Sequence, residues 1–133
     1  MLLFIGLNPS TAKEYRDDPT IIRLVGFAKA WGFGGLFAGN LFSLVTAYPS
    51  VLWAETPMEL PDVDNDAAIL RMRSLSSMVL VGWGNDGRRA GYRPAYILSL
   101  LDMPVHCIST TAAGEPHHPL RTLASSKPIV YIR

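Results

Sequence analysis

Side chains able to bind a small polar ligand follow four apolar segments of this chain. Asn8, Asn40 and Asn85 are amides that each carry a donor and an acceptor, and His118 is an imidazole that can be neutral at physiological pH. Such groups can hold a water molecule, donate to a carbonyl oxygen or pair with the edge of a heterocycle. Because parallel strands end at one edge of a sheet, we expect these four side chains to meet in one cleft.

The elements that must position them begin with four apolar runs of strand length, at 2–6, 36–40, 78–82 and 104–108. Each run is nearly continuous rather than alternating, which is typical of parallel strands covered on both faces. Helical patterns lie between the runs. This alternation predicts an α/β protein, a three-layer α/β/α fold with a four-stranded parallel sheet.

The first helical pattern opens at Pro19, with Asp18 as its cap, and is closed by Gly32 and Gly34. The second covers 65–75, with Asp64 or Asn65 as its cap, and the third covers 94–101. The proline-containing segment 50–63 is predicted to be a long surface loop, and 129–132 could add an edge strand.

Composition limits the classes of function. The 133 residues predict one domain, 1–133, and a net charge of +1 provides no general attraction for polyanions. A nucleic-acid contact would need local basic residues, of which Arg88, Arg89, Arg93 and Arg121 are near the predicted cleft. The single Cys107 favours a reducing compartment, and the absence of a signal or membrane-spanning pattern favours the cytoplasm.

Each motif also has a purely structural interpretation. An Asn-Pro pair often forms a turn, an Asn at a strand end often caps the next helix, and Trp83-Gly84 can be core packing followed by a turn. His117 and His118 can lie in a solvated loop that binds metal only adventitiously. A functional site is favoured because Asn8, Asn40, Asn85 and His118 are all expected at one edge of the sheet.

The sequence resembles the uracil-DNA glycosylase superfamily at four places, in matching order. Gly6-Leu7-Asn8-Pro9-Ser10 is similar to the loop of that superfamily's first motif, and His118-Pro119-Leu120 resembles a shortened form of its second motif. Asn40 is similar to its base-reading Asn, and Gly82-Trp83-Gly84 to its third-strand Trp-Gly. Asn8 stands where the fastest glycosylases have Asp. The mismatch-specific thymine and uracil branch of the superfamily also has Asn at this place.

A closer resemblance is to a bacterial and phage family of unknown function. The residues that carry it are Leu-Asn-Pro-Ser-Thr-Ala at 7–12, Asp-Asp-Pro-Thr at 17–20, Asn-Leu-Phe at 40–42, Trp-Gly-Asn at 83–85 and His-Pro-Leu at 118–120. Membership of such a family does not by itself imply an activity.

The glycosylase resemblance implies hydrolysis of the N-glycosidic bond of a damaged, mismatched or modified pyrimidine that is flipped out or single-stranded. Asn8 would hold the attacking water, His118 would donate to the base carbonyl and Asn40 would read the base edge. Asp17 and Asp18 are further catalytic candidates, which could orient water or a sugar hydroxyl. The remaining substrate-binding candidates are Gly6, Leu7, Pro9, Ser10, Phe42, Trp83, Asn85, Leu120 and Arg121, with Phe33 and Tyr15 as other possible aromatic walls.

Two alternatives stay open. The same cleft could bind a nucleobase, a nucleotide or modified DNA without chemistry, or it could hydrolyse free nucleosides or nucleotides. The expected partner is therefore DNA or a nucleotide, with no membrane contact and with neither a metal nor an organic cofactor required.

Overall fold

The computed structural model describes residues 1–9, 18–43, 48 and 62–133. In these residues the strands are β1 (Leu2–Gly6), β2 (Leu36–Asn40), β3 (Met78–Val81), β4 (His106–Cys107) and β5 (Ile129–Val130). The α-helices are α1 (Pro19–Ala30), α2 (Val63–Ser74) and α3 (Arg93–Leu101), and two 3-10 helices cover Asn85–Arg89 and Pro119–Arg121.

The strands form one mixed sheet in the order β2-β1-β3-β4-β5. The first four strands are parallel, as predicted, whereas β5 pairs antiparallel with β4, so the predicted four-stranded sheet becomes five-stranded. No α-helix lies between β4 and β5 in this fully described part of the chain. Without a crossover helix the chain returns along the neighbouring strand in the opposite direction.

The helices bury alternate residues of the same strands. Leu24 and Phe27 of α1 pack in one apolar cluster with Leu2, Phe4 and Leu80. The other cluster joins side chains of α2 and α3 to the intervening strand residues, among them Leu3, Ile5, Ile69, Val79, Val81, Ile97 and Leu101. Because successive strand residues point to opposite faces, the two clusters lie on opposite sides of the sheet.

Helix starts differ in how well local sequence predicts them. The Oδ1 atom of Asp18 accepts from the backbone nitrogens of Thr20 at 2.9 Å and Ile21 at 3.3 Å, which confirms the predicted cap of α1. The predicted cap of α2 is wrong, because Asp62 accepts from the Asn65 nitrogen at 3.2 Å and the helix begins at Val63. The rest of the predicted surface loop, 50–61, lies outside the described residues.

Candidate functional site

The ends of the parallel strands and the start of α1 enclose one cleft. Asn8, Asn40, Asn85 and His118 all line it, in agreement with the predicted convergence. The other predicted site residues that line it are Gly6, Leu7, Pro9, Asp18, Trp83, Leu120 and Arg121. Ser10, Tyr15 and Asp17 lie outside the described residues. The roles assigned to these residues from the sequence remain predictions.

The Asn8 loop is held by hydrogen bonds that continue beyond the paired strands. The carbonyl oxygens of Gly6 and Leu7 accept from the backbone nitrogens of Leu41 and Phe42, each at 2.9 Å. The side-chain nitrogen of Asn8 donates to the Pro9 carbonyl at 3.0 Å. The loop therefore has a fixed position beside the end of β2, and the Asn8 amide has a defined orientation.

Asn40 connects the ends of β1 and β2. In the amide orientation that satisfies its neighbours, its side-chain nitrogen donates to the carbonyls of Asn8 at 3.3 Å and Gly39 at 3.2 Å. A Cβ on Gly6 would lie 3.1 Å from this amide, so a glycine at that position makes the close approach possible. Because the nitrogen is used by the backbone, the amide oxygen is the group that Asn40 can offer to a ligand.

A buried ion pair supports the chain just beyond β2. Arg93 donates to the Leu41 carbonyl from Nε at 3.0 Å and from Nη2 at 2.7 Å, and Nη2 lies 2.8 Å from Oδ1 of Asp66. Arg93 is 2% exposed, so its predicted place among the basic residues at the cleft edge is wrong. Asp66 and the carbonyl compensate the charge that burial would otherwise leave unsolvated. Arg88 and Arg89 are exposed but do not line the cleft.

Trp83 serves the core. Its side chain is 2% exposed, and Nε1 donates to Oε2 of Glu115 at 2.7 Å. A Cβ on Gly87 would overlap the indole, so glycine allows the ring to lie against this turn. Burial and then the Glu115 carboxylate raise the pKa of the neighbouring Tyr131 to about 12. Trp83 borders the cleft, but its indole does not form an exposed wall for a stacked base.

The predicted aromatic walls lie elsewhere. Phe42 is 3% exposed and belongs to the core, so its predicted place as a wall of the cleft is wrong. Phe33 packs beside the α1 cluster and does not line the cleft either. Phe4 does line the cleft, at 4% exposure, and was not predicted. Nothing in its position within a continuous apolar strand distinguishes it from a core residue.

His118 has a defined tautomer in the cleft. Its Nδ1 accepts from the backbone nitrogen of Leu120 at 3.2 Å, so in the neutral ring the proton is on Nε2. Burial, with Arg121 adding to it and Asp18 opposing it, lowers the pKa of His118. The ring is therefore neutral at physiological pH, and its Nε2–H is a donor.

Glycines allow the His118 segment to approach the end of β3. A Cβ on Gly82 would lie 3.2 Å from both the His117 carbonyl and Cδ of Pro119. Gly84 has a φ of 71° and donates from its nitrogen to the Pro116 carbonyl at 2.8 Å. His118 is thus fixed against the neighbouring strand end rather than lying in a solvated loop.

The segment after His118 is anchored to α1 by hydrogen bonds. Arg23 donates to the Thr122 carbonyl, and Nε1 of Trp31 donates to the Ser126 carbonyl at 3.1 Å. Leu120 is 44% exposed and Leu123 is 75% exposed, so apolar side chains protrude from an anchored segment at the rim of the cleft.

Other polar groups in the cleft already have partners. Asp18 caps α1, as described, and Oδ1 of Asn85 accepts from Oγ1 of Thr111 at 2.6 Å. Nδ1 of His117 lies 2.8 Å from Oγ of Ser109. Within the described ranges, no group of three or more His, Cys, Asp or Glu side chains could hold a metal ion. Asp86 also lines the cleft, as expected of the polar cluster after β3, although it was not predicted to be a site residue.

The structure is an α/β protein with a candidate site at the carboxyl edge of its parallel strands. A family model described as "Protein of unknown function (DUF1643)" matches residues 1–120, and the chain belongs to this family. No curated protein matches the chain, and no solved structure matches it. In the part of the chain that the structure describes, no helix is long and apolar enough to cross a membrane.

Proposed function

We propose that the protein takes a flipped-out or single-stranded pyrimidine of DNA into this cleft and hydrolyses its N-glycosidic bond. The observation that carries the proposal is the geometry of His118, whose Nδ1 accepts from the Leu120 nitrogen and so leaves Nε2 as the donor, in the same cleft as the Asn8 loop. The motif resemblance to the uracil-DNA glycosylase superfamily supports it, as does the packing of helices against both faces of the sheet.

The two residues address the two charges that develop in this reaction. As the glycosidic bond breaks, its electron pair moves to the base, and the Nε2–H of His118 stabilises the negative charge on a base carbonyl. The sugar becomes positive, a water oxygen forms the new bond to its C1′ atom, and the proton that this water loses neutralises the departing base. The Asn8 amide holds that water, because an amide oxygen is a hydrogen-bond acceptor.

Neighbouring residues favour a base that is weakly paired. The Asn40 oxygen can accept from a ring N–H of the base, and Leu120, which is 44% exposed, can fill the space that a flipped base leaves. Damaged, mismatched or modified pyrimidines are the proposed substrates, because their extrusion costs least.

A second candidate function is binding without chemistry. It is favoured by the side chain of Asn8, an amide whose nitrogen is held by the Pro9 carbonyl at 3.0 Å. An amide does not accept a proton from water as a carboxylate does. Recognition of a modified base is then the function of the cleft.

A panel of labelled oligonucleotides tests both functions. Single strands and duplexes carry uracil, a thymine mismatch or a hydroxymethylated pyrimidine, and alkaline cleavage reports abasic sites. Free deoxynucleosides of the same bases are assayed in parallel. We expect strand cleavage for at least one oligonucleotide. Specific binding without cleavage would instead support the binding function, activity on monomers alone would indicate a nucleoside hydrolase, and neither binding nor cleavage would reject the proposal.

Two variants test the assigned roles. His118→Asn retains a side chain that can accept from the Leu120 nitrogen but removes the imidazole donor, and Asn8→Ala removes the amide. Each should lower the turnover number on the order of 100-fold, since donors and positioned water act mainly in the transition state. Arg71→Ala, at an exposed α2 position outside the cleft, is the control and should leave turnover unchanged. Wild-type turnover in both cleft variants would exclude this mechanism.

A further inference from the structure

Asp86 lines the cleft from the 3-10 helix that follows β3, the strand next to β1. It is partly buried and occupies the first turn of the 3-10 helix Asn85–Arg89. Ile5 of β1 pairs with Val81 of β3, and the Gly82 nitrogen donates to the Ile5 carbonyl at 3.0 Å. The chain segments that lead to Asn8 and to Asp86 therefore leave neighbouring strands at the same end of the sheet.

The turn that carries Asp86 is fixed on both sides. Oγ1 of Thr111 donates to Oδ1 of Asn85 at 2.6 Å, which joins the turn to the segment after β4. A Cβ on Gly84 would lie 3.9 Å from Cβ of His118, so the turn passes directly beside the imidazole segment. Asp86 thus lines the same cleft as Asn8 and His118, the two residues to which the proposed reaction assigns roles.

The carboxylates that line the described part of the cleft are Asp18 and Asp86. Asp18 accepts from the backbone nitrogens of Thr20 and Ile21, so its side chain is engaged in capping α1. Asp86 has no hydrogen bond or ion pair to any described residue. Its carboxylate oxygens are therefore open to a water molecule in the cleft, which is the contact that a general base needs.

We propose that Asp86 is the general base of the cleft, an assignment that rests on the proposed hydrolysis. A water held by Asn8 gives a proton to the Asp86 carboxylate while its oxygen bonds to C1′ of the sugar. The bond from C1′ to the base breaks, and its electron pair stays on the base, stabilised by His118. The base anion then takes up the proton that Asp86 received from the water and leaves as a neutral molecule, which returns Asp86 to its carboxylate form. Asp86 supplies the function that the amide of Asn8 lacks.

The test compares Asp86→Asn and Asp86→Ala with the wild-type protein on the best oligonucleotide of the panel. Loss of the base should lower the turnover number on the order of 100-fold or more while changing KM little. Formate, a small carboxylate, should restore part of the turnover of Asp86→Ala in a concentration-dependent way. It should not affect the wild-type protein. Asp64→Ala, an exposed acidic residue in the first turn of α2, is the matched control and should behave as wild type.

The outcomes separate this assignment from the function on which it rests. Wild-type turnover in Asp86→Asn, or a raised KM with unchanged turnover, would overturn the role of Asp86 alone. A loss that formate does not restore would also overturn it, because a missing base is replaceable whereas a disturbed cleft is not. A wild-type protein that cleaves nothing in the panel would overturn the proposed hydrolysis and this assignment together. Asp86→Asn keeps the side-chain shape, so its result stands even if Asp86→Ala does not fold.

Discussion

The two sides of the cleft use their polar residues differently. On the β2 side, Asn40 and Arg93 donate to backbone carbonyls, and Arg93 also pairs with Asp66. On the side formed by β3 and the His118 segment, His118 uses one ring nitrogen as a cap and keeps its Nε2–H as a donor, and Asp86 has no partner among the described residues. The β2 side mainly fixes the backbone and leaves the Asn40 oxygen open, whereas the opposite side keeps the His118 donor and the Asp86 carboxylate open.

This difference is a guide to function. A buried polar group must be hydrogen-bonded to be tolerated, so a fully paired group is explained by stability alone. A partly exposed cleft group that keeps a donor or acceptor without a protein partner is open to water or to a ligand. Variants on the β2 side should therefore act mainly on folding, and variants on the other side mainly on activity.

The largest expected effect is on the β2 side. Arg93→Ala leaves Asp66, which is 6% exposed, as a buried and unpaired charge, and it should lower the free energy of unfolding by about 3–5 kcal/mol. Urea denaturation measures this change, and the exposed Arg71→Ala should shift it by less than about 0.5 kcal/mol. Equal stability of the two variants would contradict the supporting role of the Arg93–Asp66 pair.

An intermediate effect is expected for Asn40→Asp. The variant places an ionised carboxylate against the carbonyl oxygens of Asn8 and Gly39, where an amide nitrogen now donates. The free energy of unfolding should fall by about 1–3 kcal/mol, the usual cost of an unsatisfied buried polar group. The same variant is assayed on matched uracil and cytosine oligonucleotides. Unchanged stability would contradict the supporting role of the Asn40 nitrogen, and an unchanged preference between the two bases would contradict base reading by the Asn40 oxygen.

The smallest effect concerns pH. Burial and Arg121 lower the pKa of His118 below the ordinary value of 6.5, so the unfolded chain takes up this proton first as the pH falls. The stability that depends on the neutral ring is complete above pH 6.5 and is lost as the pH falls from there towards the lowered pKa. Between about pH 7.5 and about pH 5.5, the wild-type protein should lose more unfolding free energy than His118→Asn, which has no such titration. Parallel pH profiles of the two proteins would contradict this.

Local patterns predicted the elements but not all of their surroundings. The continuous apolar runs at 2–6 and 36–40 correspond to β1 and β2, and Asp18 caps α1 because its side chain acts within three residues. The burial of Arg93 could not be predicted in this way. It depends on Asp66, which lies 27 residues earlier and approaches Arg93 only after α2 and α3 have packed on the sheet.

The sequence predicted where the candidate site lies better than it predicted which side chains face it. Strand order brings Asn8 and Asn40 to one edge, because parallel strands share a carboxyl edge. His118 lies well beyond β4 and joins them because its segment packs against Gly82 and Gly84. Which aromatic rings face that cleft depends on packing. Phe42, two residues after β2, packs into the core, whereas Phe4 lines the cleft from within β1.

The two ring nitrogens of His118 connect the cleft to its rim. Nδ1 accepts from the Leu120 nitrogen, so a hydrogen bond donated from Nε2 to a bound base makes the ring a better acceptor at Nδ1. Binding in the cleft then tightens the turn that holds Leu120, and a well-formed turn favours binding by the same factor, as thermodynamic linkage requires. Under the proposed function, base capture and ordering of the rim would be a single cooperative event.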